Sequence, residues 1–189
     1  MTTQYFVRLD CVHHPGFVPV VSSLPSVSHD IPLCPLHNPC SISLLVPSNL
    51  QALATVLAWF DQLSQVFNSQ EDWDKCRIAL AEGFTNAVKH AHGHLPPETP
   101  IELEVFCGEA SVEMQIWDQG SVFDLDCYLA GLPPKSSQDA ESGRGLRLIR
   151  EIADHVSYRR TEDGRNCLRI AKQLSTAYHS PSLMVSPPS

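Results

Sequence analysis

The sequence predicts an α/β (α+β) fold, a two-layer sandwich in which a mixed, mainly antiparallel sheet carries helices on one face. Three observations lead there. Two apolar stripes at helical spacing follow one another between residues 47 and 93. Strands of alternating polarity come after them, arranged as hairpins. The 189 residues are 43% hydrophobic and 18% charged, which suits a single buried core.

Taken in order, the first 39 residues hold six of the fifteen prolines and only three charged side chains, Arg8, Asp10 and Asp30. Proline removes a backbone donor and biases its predecessor away from helix. Residues 1–40 therefore read as a proline-rich irregular extension, in which Tyr5–Leu9 or Phe17–Val21 can add a strand. The folded domain is expected over 41–175. Ile42–Val46 is a strand-sized apolar run, and Pro47-Ser48 opens a helix whose face is Leu50, Leu53, Leu57 and Phe60. Ser69, with Asp72 three residues on, starts a second helix with Trp73, Cys76, Leu80, Phe84, Val88 and Ala91 on one stripe, ended by Gly93.

Ile101, Leu103 and Val105 then alternate with Glu102 and Glu104, and Val112, Met114 and Ile116 alternate with Glu113 and Gln115, two half-buried strands joined through Gly108. Residues 120–142 show no strong period and read as a long loop. A helix is expected from about Gly145 to Asp154. Val156–Arg160 and Cys167–Lys172 form a last hairpin around Gly164. Residues 176–189 carry serine and proline without an apolar period and read as a flexible tail.

Composition excludes several function classes. Thirteen basic residues against 21 acidic ones give a net charge of −8, a poor match for a nucleic-acid phosphate backbone. No run approaches the roughly 18 apolar residues of a membrane span. The opening residues lack a basic stretch followed by an apolar one, so no secretory signal is expected. Seven cysteines without framework spacing suit the reducing cytoplasm. Cys34, His37 and Cys40 are zinc-ligand types, but their spacing matches no common finger.

Three short motifs carry chemistry. Glu82 and Asn86 are four apart on the second helix, on a face its core stripe does not need. A carboxylate there suits a general base, and an amide oxygen one turn away is a hard ligand for Mg²⁺. A solvated polar pair has the same spacing. Asp118-Gln119-Gly120 follows a buried strand; the carboxylate can accept from the exocyclic amine of adenine, and the glycine lets the chain pass close under a flat base. A plain strand-ending turn looks alike. Gly143-Arg144-Gly145 opens a helix, where free amides and an arginine favour anions.

The order of these motifs resembles the GHKL ATP-binding domain. More narrowly, Glu82-Gly83-Phe84-Thr85-Asn86-Ala87-Val88-Lys89-His90-Ala91 and Asp118-Gln119-Gly120-Ser121-Val122-Phe123-Asp124 are similar to the anti-sigma-factor serine/threonine kinases, over roughly residues 41–174. The resemblance implies that ATP and Mg²⁺ are the cofactors. Asn86 would coordinate the metal, Glu82 would act as base on an incoming serine hydroxyl, Asp118 would hold the adenine amine and Gly120 would back the ring. Gly143, Arg144 and Gly145 would serve phosphates, with 121–142 as a lid. Ser121 stands where the wider superfamily often has glycine.

The implied function is a cytoplasmic protein serine kinase that phosphorylates a small antagonist protein and sequesters a sigma factor or similar target, as a homodimer. The rivals are a non-catalytic nucleotide-dependent partner-binding module and the ATPase part of a histidine kinase. His90, His92 and His94 alternate beyond Asn86, where cations favour a helix end, and Arg147 and Arg150 read as a solvated face.

Overall fold

The computed structural model describes residues 6–11, 40–132 and 143–175. The expected strand at Phe17–Val21, Cys34 and His37, the Pro133-Pro134 end of the loop and the tail from 176 lie outside the described residues. The strands are β1 (Phe6–Cys11), β2 (Cys40–Pro47), β3 (Pro100–Cys107), β4 (Ser111–Asp118), β5 (His155–Arg160) and β6 (Asn166–Gln173). The helices are α1 (Leu53–Phe60), α2 (Gln70–Asn86), α3 (Leu125–Gly131) and α4 (Arg144–Ile152).

The sheet runs β1-β2-β3-β4-β6-β5. Every pairing among these strands is antiparallel, so the sheet is wholly antiparallel where the sequence pointed to a mixed one. β1 pairs along β2 at the edge, so the sheet reaches closer to the N-terminus than residue 41. The expected alternation holds on the central strands. Ile101, Leu103 and Val105 of β3 and Val112, Met114 and Ile116 of β4 are all fully buried. They meet Cys76, Leu80 and Phe84 of α2 and Ile149 of α4 in one core. Burying one side chain of this size contributes about 1.5–3 kcal/mol.

Local chemistry sets the helix starts. The Asn49 side chain accepts from Gln51 N–H at 2.9 Å and caps a tight first turn. Ser69 accepts from Asp72 N–H at 3.3 Å and caps α2. The expected face of α1 is turned by about one residue, because Ala52, Val56, Trp59 and Phe60 are buried while Leu50 is exposed. Residues 50–60 are apolar nearly all round, and several stripes fit them equally well. The region expected to be loop contains α3, capped by Asp124, whose carboxylate accepts from Cys127 N–H at 2.9 Å. Two turns are too few to reveal a period.

Candidate functional site

The inward row of β4 is Val112, Met114, Ile116 and then Asp118, which is only 2% exposed. A carboxylate at the end of a core row must find donors, since burying it unpaired is costly. It finds three. Oδ1 accepts from Gly120 N–H at 2.8 Å and from Asn166 Nδ2 at 2.8 Å, and Oδ2 accepts from the Tyr158 hydroxyl at 2.7 Å. Strand register supplies two of these partners. Asp118 of β4 lies opposite Asn166 of β6, and Tyr158 of β5 lies opposite Leu168, two residues along β6 from Asn166.

Arg160 braces the group by donating to Asn166 Oδ1 at 3.2 Å and to Gly120 O at 3.1 Å. Burial, with the Asp118 carboxylate beside it, pushes the Tyr158 phenol far above its ordinary range, so it stays a donor at working pH. Among the described residues Oδ2 takes one hydrogen bond, and a carboxylate oxygen can take two.

Gly120 is required by close approach. A Cβ added there would come within 2.8 Å of both Cβ and O of Ala91. The wide turn Ala87–Ala91 that follows α2 thus presses on the Asp118-Gln119-Gly120 turn. Beside it His92, buried, accepts from Gln119 N–H through Nε2 at 2.7 Å.

A cleft of about 300 Å³ opens from this point. Ile116, Leu168, Leu146 and Phe123 give it apolar walls, and Asn86, His90 and His94 give it a polar rail. Its size and mix of surfaces suit a small organic ligand with one polar anchor. Of the residues the sequence singled out, Asn86, Asp118, Gly143, His90, His94 and Ser121 line it, while Glu82, Gly120, Arg144 and Gly145 do not.

Glu82 and Asn86 flank Gly83, where α2 packs directly on the sheet. Gly83 between them lies on Ile116, Leu168 and Ile170, and an added Cβ would be 2.7 Å from Ile116 Cδ1. The first turn of α4 lies over the same two side chains. A Cβ on Gly145 would collide with Glu82 Oε2 and be 3.4 Å from Asn86 Nδ2. Gly143 precedes α4 with φ of 77°, the left-handed region that suits glycine. Arg144, the first residue of α4, is exposed. Asn86 Nδ2 is buried and has no partner among the described residues.

The motifs therefore converge from two directions. Asp118 lines the cleft with Gly120 bonded to it, and Asn86 and Gly143 line it with Glu82 and Gly145 packed beside Asn86. Tyr158, Asn166 and the Gln119 bond of His92 went unread in the sequence. Tyr158 and Asn166 are 40 and 48 residues from Asp118, and only their place in the last hairpin hints at them. Arg150, expected on a solvated face, pairs with Asp126 of α3 at 3.3 Å.

Residues 46–172 match the family model of the histidine kinase-like ATPase domain. The serine-protein kinase RsbW of Halalkalibacterium halodurans is 31% identical over 148 residues, spanning 74% of this chain and 86% of that protein. RsbW of Bacillus licheniformis is 34% identical over 99 residues, spanning 49% of this chain and 61% of that protein. RsbW of Staphylococcus aureus is 26% identical over 122 residues, spanning 61% of this chain and 77% of that protein.

Proposed function

The chain belongs to the histidine kinase-like ATPase domain family, and from that membership we propose that it is an ATP-dependent protein serine kinase of the anti-sigma-factor type. It transfers a phosphoryl group to a serine of an antagonist protein and sequesters a sigma factor or similar regulator. The observation that carries this reading is the pairing of a thrice-bonded Asp118 at one end of an apolar cleft with Glu82, Asn86 and the α4 start at the other.

The residues fit ATP with Mg²⁺. The remaining acceptor position on Asp118 Oδ2 suits an exocyclic amine, and Ile116, Leu146 and Leu168 give apolar surface that would suit a flat ring. The Asn86 side-chain oxygen is the type of ligand that would suit a cation shared with phosphate oxygens, while its buried Nδ2, without a partner among the described residues, is a donor for a ligand oxygen. Among the described residues no three His, Cys, Asp or Glu side chains gather to hold a metal alone. Magnesium here would rest on Asn86 together with phosphates and water, as is usual for this ion.

ATP when bound supplies the transferable phosphoryl group. The chain's own part is positioning and charge neutralisation, which is most of what phosphoryl transfer asks. Asp118 fixes the base end, Gly143 and Gly145 let backbone approach the phosphates, and Arg144 adds a cation. Glu82 accepts the proton of the incoming serine hydroxyl. Among the described residues no helix is long and apolar enough to cross a membrane. A cytoplasmic, homodimeric protein is part of the proposal, supported by the unframed cysteines and the family resemblance.

Two measurements test it. Calorimetric titration with Mg-ATP should show binding that Asn86→Ala and Asp118→Asn largely remove. Phosphoserine formation on an antagonist should vanish in Glu82→Gln while ATP affinity stays within about threefold, because a base acts on the transfer step and not on ground-state binding. Failure of the wild type to bind ATP ends the kinase reading. Undiminished transfer by Glu82→Gln removes the base.

A further inference from the structure

We infer that His92 is a positioning residue for the floor of the nucleotide cleft: it clasps the Asp118-Gln119-Gly120 turn to the end of α2, and protonating it releases the turn. The inference rests on the nucleotide reading above, and it concerns a residue that none of the three motifs contains.

His92 is 2% exposed. Its Nε2 accepts from Gln119 N–H at 2.7 Å. An amide always carries its hydrogen, so Nε2 must be bare and the ring proton resides on Nδ1. Nδ1 is buried with no partner among the described residues. An apolar ring would fill this space without stranding a polar atom, so packing alone is a poor account of an imidazole here. The Gln119 bond is what the imidazole provides.

Its place in the chain fits that role. His92 closes the wide turn Ala87–Ala91 with its own N–H on Ala87 O at 2.8 Å. Wide turns of this kind often mark functional sites. Here the turn sets Ala91 against Gly120 and His92 against Gln119. Asp118 Oδ1 holds the same turn from the other side through Gly120 N–H. The two residues that follow Asp118 are thus each gripped, one by its own carboxylate and one by the neighbouring helix end.

Protonation places a hydrogen on Nε2, which then faces the Gln119 hydrogen as a second donor, and the bond is lost. Burial, the largest influence, holds the His92 pKa below its ordinary value; among the charged neighbours Asp118 draws it up and His94 pushes it down. The neutral ring therefore dominates at neutral pH. Because the folded pKa is depressed, the clasp is intact above about 6.5, the unfolded value, and is lost as pH falls through the folded one.

The test compares the full-length wild type with His92→Gln, whose Oε1 can still accept from Gln119, and His92→Phe, which cannot. Two readouts are taken from about pH 7.5 downward for as long as each protein stays folded: the Gln119 amide resonance in the free protein, and Mg-ADP affinity. In the wild type the Gln119 resonance should titrate with a midpoint below 6.5. Mg-ADP should weaken on acidification by roughly tenfold more than in His92→Gln, the cost of one unpaired buried donor. Weakening shared by all three belongs to ADP itself. His92→Phe should bind roughly tenfold worse across the range while still melting cooperatively, and His92→Gln should keep near wild-type affinity with a flat relative profile.

The proposal is overturned if the Gln119 resonance ignores pH, or if all three proteins share one affinity profile. Should the wild type itself fail to bind Mg-ADP while Gln119 still follows His92, the nucleotide reading falls and the clasp stands.

Discussion

At the Asp118 end of the cleft, the key carboxylate spends three acceptor positions on Gly120, Asn166 and Tyr158, all within the fold. At the Glu82–Asn86 end, Asn86 Nδ2 is buried without a partner among the described residues, and Arg144 is exposed. The same cleft thus joins an end whose carboxylate is bonded by the protein with an end whose buried amide nitrogen has no partner among the described residues. The first end is an extension of the core and is fixed by strand register. The second is held by glycines, which admit close approach but supply no side-chain bonds. Binding and stability should therefore separate along the cleft.

The largest effect tests that separation directly. Asp118→Ala leaves Gly120 N–H, the Asn166 amide and the Tyr158 hydroxyl short of a partner. It should lower unfolding free energy by about 3 kcal/mol or more. Asn86→Ala removes a side chain whose nitrogen has no partner among the described residues, and should cost less than about 1 kcal/mol while abolishing most nucleotide affinity. Urea denaturation of both variants, beside the calorimetric titrations, reads the contrast. Equal stability losses would break it.

The two ends also differed in how far the sequence disclosed them. Glu82, Asn86, Asp118 and Gly120 were legible because the spacing that matters is local, one helical turn or one strand end. Asn166 and Tyr158 were not, since what makes them partners of Asp118 is the pairing of β6 with both β4 and β5. The alternation of β3 and β4 disclosed the sheet because half-buried strands impose a period of two. The face of α1 was misplaced by about a residue for the opposite reason, an almost wholly apolar segment with no polar side to fix the rotation. His92 looked like one of three alternating histidines, and only the fold distinguishes it from exposed His90 and His94.

A smaller effect is expected at the start of α4. Gly143 has φ of 77°, and a Cβ there would lie 2.5 Å from Leu132 Cδ1. Gly143→Ala should cost about 1–2 kcal/mol in thermal or urea unfolding, the usual penalty for a left-handed residue with a side chain. It should also weaken Mg-ATP, because the residue lines the cleft beside the α4 amides. A stability loss with unchanged affinity would detach Gly143 from the ligand and make it a cap alone.

The smallest effect belongs to the ion pair between Arg150 and Asp126, at 3.3 Å with side chains 53% and 89% exposed. Solvent-exposed pairs contribute roughly 0.2–1 kcal/mol at best, and salt screens them. Arg150→Ala should therefore shift unfolding by less than about 0.5 kcal/mol, and a double-mutant cycle with Asp126→Ala should return a coupling near that limit at low salt. The pair nonetheless bridges α4 to α3, the described part of the expected lid. If the less internally bonded end of the cleft owes its shape to weak ties of this kind, Arg150→Ala will change Mg-ATP affinity more than it changes stability. A parallel change in both would return Arg150 to an ordinary surface residue and leave the α4 glycines as the features that shape that end.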